Sequence, residues 1–134
     1  MLTFNSLIVN YDIPVILFNT LEKKFLSYSN DNWKFVDNFT LENGKINDEC
    51  LVLLLIDSND EKNEKVYIKG QYKYLSYNKN YVTNDKNEAE LGIKFYNKSF
   101  GLIEISKGEN ILSMDNNGFA TFNNIKTLYI ICNI

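Results

Sequence analysis

The sequence predicts an all-β domain built from three copies of one four-stranded unit. Runs rich in Val, Ile, Leu, Tyr and Phe recur at roughly eight- to twelve-residue spacing between clusters of Asn, Asp, Gly and Lys, the rhythm of sandwiches and barrels. No window carries the apolar stripe of an amphipathic helix. A short motif also returns. Phe25-Leu26-Ser27-Tyr28 reappears as Tyr74-Leu75-Ser76-Tyr77 and as Ile111-Leu112-Ser113-Met114, at offsets of 49 and 37 residues and with Leu-Ser unchanged.

The surroundings of the motif repeat with it. An alternating strand precedes each copy, at residues 15–18, 66–68 and 102–105. A polar turn and a third strand follow: 30–32 then 33–36, 78–80 then 81–83, and 115–118 then 119–122. The Asn117-Gly118 step is the strongest two-residue hairpin signal, because both residue types tolerate positive φ. A fourth strand closes each unit, at 50–56, 91–96 and 127–132. The first unit carries an insertion from Phe39 to Asp48, which a surface loop absorbs at modest entropic cost.

Three four-stranded units of this size are the plan of a β-trefoil, with six strands in a short barrel and six capping one end. One domain over residues 1–134 is expected, with units at about 14–57, 65–98 and 101–134. Period-two alternation turns Leu26, Leu75 and Leu112 inward, toward a pseudo-threefold axis. Phe25-Leu26-Ser27 and Tyr74-Leu75-Ser76 resemble the aromatic-Leu-Ser signature of fascin-like trefoils. Lys73-Tyr74-Leu75-Ser76-Tyr77 resembles the small trefoil subunits of clostridial haemagglutinin complexes. The resemblance spans about residues 14–132 and implies the trefoil fold and a binding role. Ricin-type sugar-binding trefoils carry Gln-x-Trp in each unit. Here the single glutamine, Gln71, and the single tryptophan, Trp33, fall in different units, so a threefold set of such sites is not expected.

Composition narrows the chemistry. At 134 residues, 45% hydrophobic and 14% aromatic, the chain suffices for one core and is too rich in large side chains to remain unfolded. The longest apolar run, residues 50–56, is far short of the roughly 20 residues of a membrane-spanning helix. The opening residues, Met1 to Asn5, lack the basic start and apolar stretch of a secretory signal. A cytoplasmic chain, or one processed or released by a signal-independent route, is therefore expected. All 14 basic residues are lysine and the net charge is −3. Nucleic-acid binders usually show a basic stripe and arginine, so nucleic acid is not an expected partner. Absence of histidine excludes a Ser-His-Asp triad, a Cys-His dyad and histidine metal sites. Cys50 and Cys132 are expected as buried free thiols in apolar strands. Asp57, Asp60, Glu61 and Glu64 cluster between the first two units, where a solvated loop is expected rather than a calcium site, because lysines interrupt them. No catalytic residue, metal ligand or cofactor is expected.

What remains is recognition by exposed rings and amides. Tyr28, Tyr72, Tyr77 and Tyr81 lie in or beside hairpins, and Trp33 stands where the first unit enters its third strand. Such rings suit stacking on a sugar face or anchoring a protein, and neighbouring Asn groups suit hydroxyl recognition. The expected ligand-binding residues are Trp33, Asn32, Tyr77, Asn78, Asn80 and Tyr81, and the expected partner is a glycan or a cell-surface protein. The third unit has Met114 and Asp115 where the second has Tyr77 and Asn78, so its site should be weaker. The alternatives are a fascin-like module binding actin filaments through lysines and an enzyme inhibitor acting through the insertion from Phe39 to Asp48.

Overall fold

The computed structural model describes residues 14–38, 41–42, 45–46, 48–57, 64–78 and 81–133. The first repeat contributes β1 (Val15–Asn19), β2 (Lys24–Ser29) and β3 (Asn32–Val36). Its insertion holds the small hairpin of β4 (Leu41–Glu42) and β5 (Lys45–Ile46), then a 3-10 turn (Asp48–Cys50) leads into β6 (Leu53–Asp57). The second repeat is β7 (Lys65–Lys69), β8 (Tyr74–Leu75), β9 (Val82–Thr83) and β10 (Leu91–Asn97). The third is β11 (Leu102–Lys107), β12 (Asn110–Met114), β13 (Ala120–Asn123) and β14 (Tyr129–Asn133). Apart from the small hairpin these strands form one 12-stranded antiparallel sheet, and the described residues contain no α-helix.

The pairing is that of a β-trefoil. The first strand of each repeat pairs with the fourth strand of the preceding one: β1 with β14, β7 with β6, and β11 with β10. Within repeats, β7 pairs with β10 and β11 with β14. In the first repeat a bridge between Val15 and Val52 completes the ring, with N–H to carbonyl distances of 2.8 and 2.9 Å. Six strands therefore close on themselves, which removes the exposed edges an open sheet would leave. The hairpins β2–β3, β8–β9 and β12–β13 supply the other six strands.

Core packing follows from period-two alternation. Each barrel strand, with the residue just before β6, supplies two inward side chains two positions apart: Val15 and Leu17, Val52 and Leu54, Val66 and Ile68, Leu91 and Ile93, Ile103 and Ile105, Tyr129 and Ile131. Leu26, Leu75 and Leu112 are fully buried in the same cluster. Opposite them in register stand Phe35, Val82 and Phe122. The serine after each leucine is buried and donates its hydroxyl to a carbonyl. Ser76 reaches Glu88 (2.9 Å) and Ser113 reaches Ile125 (3.3 Å), both in the connection leading to the fourth strand. Ser27 turns instead to Lys34 within its own hairpin (3.0 Å). Leu-Ser thus recurs because one side chain fills the core while the next satisfies a backbone acceptor.

Several local expectations are corrected. The hairpin with two positive-φ residues is Asn30-Asp31 (φ 51° and 62°), flanked by the Ser29–Asn32 pair, which is the type I′ arrangement. At Asn117-Gly118 only Gly118 is left-handed (φ 86°), and the Asp115 carboxylate accepts from the Asn117 and Phe119 N–H groups (2.8 and 2.9 Å) to make a longer loop. The strand expected at 81–83 begins at Val82, because Tyr81 is itself left-handed (φ 58°). Cys50 lies in the 3-10 turn rather than in a strand, although buried as expected, and Cys132 is buried in β14. Neither forms a disulfide, and burial pushes both thiols up to about 11.

Candidate functional site

The expected site residues divide into enclosed and accessible groups. Trp33 is only 2% exposed, its ring 5.0 Å from that of Tyr28, so it offers no free face to a ligand. Alternation decides this, since Trp33 shares its strand face with Phe35 and both join the core cluster. The expectation of a partly exposed Trp33 ring is corrected accordingly. Its Nε1 has no hydrogen-bond partner among the described residues. Asn32 is exposed and donates its amide to the Asn30 carbonyl (3.1 Å). Asn80 lies outside the described residues.

Tyr77 and Tyr81 do come together, both against Phe122 of the third repeat, at centroid distances of 5.2 and 6.0 Å. The Tyr81 hydroxyl meets the Thr121 hydroxyl (3.0 Å) and its ring is partly buried. Tyr77 remains 43% exposed, and its hydroxyl accepts from the Asn110 amide (2.8 Å). Asn78 is exposed, and its backbone carbonyl accepts from the Tyr81 N–H (3.0 Å). These side chains brace the second hairpin on the third and leave Tyr77 and Asn78 facing solvent.

A second constellation lies between the first and second repeats. A cleft of about 350 Å³ is lined by Tyr28, Asn30, Asp31, Glu49, Gln71 and Tyr72, with Ser29. The type I′ turn presents Asn30 and Asp31 at the tip of the β2–β3 hairpin. Opposite, the Gly70 N–H bonds the Lys73 carbonyl (2.8 Å), closing a turn with Gln71 and Tyr72 at its corner. Gly70 is essential to this approach, because an added Cβ would lie 2.8 Å from Tyr28 Cβ and Cγ. Glu49 enters from the 3-10 turn after the insertion and accepts from the Ser29 hydroxyl (3.2 Å).

Asp31 ties the two repeats together. Its Oδ1 accepts from the Tyr28 hydroxyl (2.8 Å) and from Lys73 Nζ (2.8 Å). The Lys73 hydrogen bond, followed by that of Tyr28, holds this carboxyl below its ordinary range. Burial, then the hydrogen bond to Asp31, pushes the Tyr28 phenol up to about 12. At neutral pH the cleft therefore presents an ionised carboxylate fixed beside a neutral phenol.

Tyr72 stands over this network at 74% exposure, and among the described residues no ring or lysine covers it. The other exposed tyrosines among the described residues are engaged. Tyr96 has Lys94 and Lys126 against its ring, at 4.9 and 4.5 Å, while Tyr77 meets Phe122 edge-on. A larger groove of about 460 Å³ runs along the barrel wall but has no aromatic lining, and its charges compensate one another through Lys65–Glu90 (3.5 Å). The corresponding first-to-second-strand turns at residues 20–23 and 108–109 carry no ring, so the arrangement occurs once.

Sequence reading named Tyr28 and Tyr72 among the rings suited to recognition but left both out of the expected site, and treated Gln71 only as half of an absent Gln-x-Trp pattern. The available signal was Gly70-Gln71-Tyr72-Lys73: a tyrosine in a polar turn, outside any alternating strand that would bury it.

No family model and no curated protein matches the chain. Among solved structures it is similar to SeviL bound to asialo-GM1 saccharide, at 15% identity, covering 88% of this chain and 94% of that one, with a TM-score of 0.61. At that identity the likeness establishes the fold: the chain is an all-β protein with the β-trefoil architecture. No helix among the described residues is long and apolar enough to cross a membrane.

Proposed function

We propose that this protein is a non-enzymatic glycan-binding module whose ligand sits in the cleft beneath Tyr72. The observation that carries the reading is one uncovered ring beside fixed hydrogen-bonding groups in a concave site. A pyranose has an apolar face and a rim of hydroxyls. Tyr72 suits the face, and Asp31, Glu49, Gln71 and Asn30 suit the rim. SeviL, which shares the fold, was solved with a saccharide, which agrees with this use of the scaffold. Because the turn is specific to the second repeat, one ligand per chain is expected.

The sites expected from sequence reduce, in this reading, to Tyr77 and Asn78 as a secondary contact surface, since Trp33 is enclosed and Tyr81 braces the hairpins. A glycan array run beside actin co-sedimentation tests the proposal. Binding to defined glycans, released by free sugar, supports it. Salt-sensitive pelleting with filaments and no glycan binding would replace it with the filament-binding alternative.

A further inference from the structure

We propose that Lys73 is a positioning residue for the glycan site, holding Asp31 by one carboxylate oxygen so that the other accepts a sugar hydroxyl; this rests on the glycan reading above. Asp31 stands at the tip of the β2–β3 hairpin and its side chain is 64% exposed. A carboxylate so placed is ordinarily free to rotate and loses that freedom when a ligand arrives. Here it is fixed beforehand. Its Oδ1 accepts from the Tyr28 hydroxyl of the first repeat and from Lys73 Nζ of the second, each at 2.8 Å. Its Oδ2 has no partner among the described residues. An ionised carboxylate only accepts hydrogen bonds, and a sugar hydroxyl can donate one.

Lys73 does not itself line the cleft. Its carbonyl accepts from the Gly70 N–H (2.8 Å), so it closes the turn that carries Tyr72, and β8 begins at the next residue. The Lys73–Asp31 pair therefore joins the turn bearing the stacking ring to the turn bearing the acceptor. An exposed ion pair adds little to stability, and its effect here is on how the two groups are placed. The titratable groups facing Asp31 among the described residues are Tyr28 from β2, Lys73 from the turn at 70–73, and Glu49, which comes from the 3-10 turn and shares the cleft. The Lys73 hydrogen bond, ahead of that of Tyr28, holds the Asp31 carboxyl below its ordinary range. Tyr28, pushed up to about 12, stays neutral through that range. Without Lys73 the carboxyl should take up its proton at higher pH and cease to be a pure acceptor.

The test titrates neutral oligosaccharides, the asialo-GM1 saccharide among them, into the wild-type chain, Lys73→Met, Asp31→Gly and the double variant. Each titration runs from neutral pH down through the carboxylate range, where a neutral sugar carries no titrating group. Glycine suits a left-handed turn position, so Asp31→Gly removes the carboxylate and keeps the hairpin. For the tightest binder at neutral pH, Lys73→Met should weaken binding about three- to tenfold and Asp31→Gly about tenfold or more. In the Asp31→Gly background, Lys73→Met should change affinity by less than about twofold. The acid limb of the wild-type profile should move up in Lys73→Met, toward the ordinary carboxylate value of about 4. Losses that simply add would overturn the inference, because Lys73 would then touch the sugar itself. Unchanged affinity in Lys73→Met, or an acid limb that it leaves in place, would also overturn it and leave the glycan reading intact. A wild-type chain that binds none of the oligosaccharides would overturn both.

Discussion

Replacing Gly70 by alanine should disturb the wall of the cleft without removing any group that faces a ligand. The new Cβ would lie 2.8 Å from Tyr28 Cβ, 2.8 Å from Cγ and 2.9 Å from Cδ2, where ordinary contacts begin near 3.4 Å. The atoms it meets are at the root of the Tyr28 side chain, so a rotation at the far end relieves nothing. Tyr28 is in turn held by Trp33, by the Asp31 carboxylate and by its strand pairing. Overpacking of this kind costs about 1 to 3 kcal/mol. In a domain of this size that lowers Tm by roughly 3 to 12 °C. Gly70 is not among the residues with positive φ, so backbone strain should add little. Thermal denaturation followed by circular dichroism measures the loss, and a double-mutant cycle isolates its cause. In a Tyr28→Gly background all three clashing atoms are gone, and Gly70→Ala should be neutral or stabilising by up to about 1 kcal/mol through the unfolded chain. An equal loss in both backgrounds, or no loss in the wild type, would refute the reasoning.

Other outcomes follow from the same geometry. Leu26→Ala, Leu75→Ala and Leu112→Ala should each cost about 2 to 5 kcal/mol by urea denaturation, because all three are fully buried. Trp33→Phe should change stability by no more than about 1 kcal/mol, since it removes a buried N–H with no partner among the described residues, whereas Trp33→Ala should cost about 3 to 5 kcal/mol. Thiol labelling of Cys50 and Cys132 should be slow near neutral pH and quicken on unfolding, because burial raises both thiols to about 11 and keeps them protonated. The Asp31 carboxyl is depressed in the folded chain, so its link to Lys73 should persist above the ordinary carboxylate value near pH 4 and fail as pH falls through the lowered one. Glycan affinity measured against pH should fall over that acidic range.

The fold was legible because its signals were local and repeated. Leu-Ser at residues 26–27, 75–76 and 112–113 marks a core side chain followed by a satisfied hydroxyl, and each leucine sits in the second strand of its repeat. Period-two alternation also placed Leu26, Leu75 and Leu112 in the core, where all three are fully buried. Turn detail was less legible, because it depends on side-chain capping. Asparagine side chains shape two of these turns: Asn19 accepts from the Leu21 and Glu22 N–H groups, and Asn97 from those of Ser99 and Phe100. The cleft was least legible. It joins Asp31, Glu49 and Tyr72 from separate segments, and their meeting depends on Gly70 admitting the Tyr28 ring. Trp33 attracted attention as the single tryptophan, yet its place in the alternation with Phe35 was the better guide to its burial.

The central claim, that Tyr72 is the stacking ring of a glycan site, is tested most directly by calorimetric titration. The best ligand from the array would be titrated into the wild-type chain, Tyr72→Ala and Tyr77→Ala, each first shown to retain the wild-type melting temperature. Losing the uncovered ring at the centre of a recognition site should weaken binding by about tenfold or more, with one ligand bound per wild-type chain. Tyr77→Ala should stay within about twofold, because a peripheral contact carries little of the binding energy. Unchanged affinity in Tyr72→Ala together with a large loss in Tyr77→Ala would contradict the account and place recognition on the second hairpin.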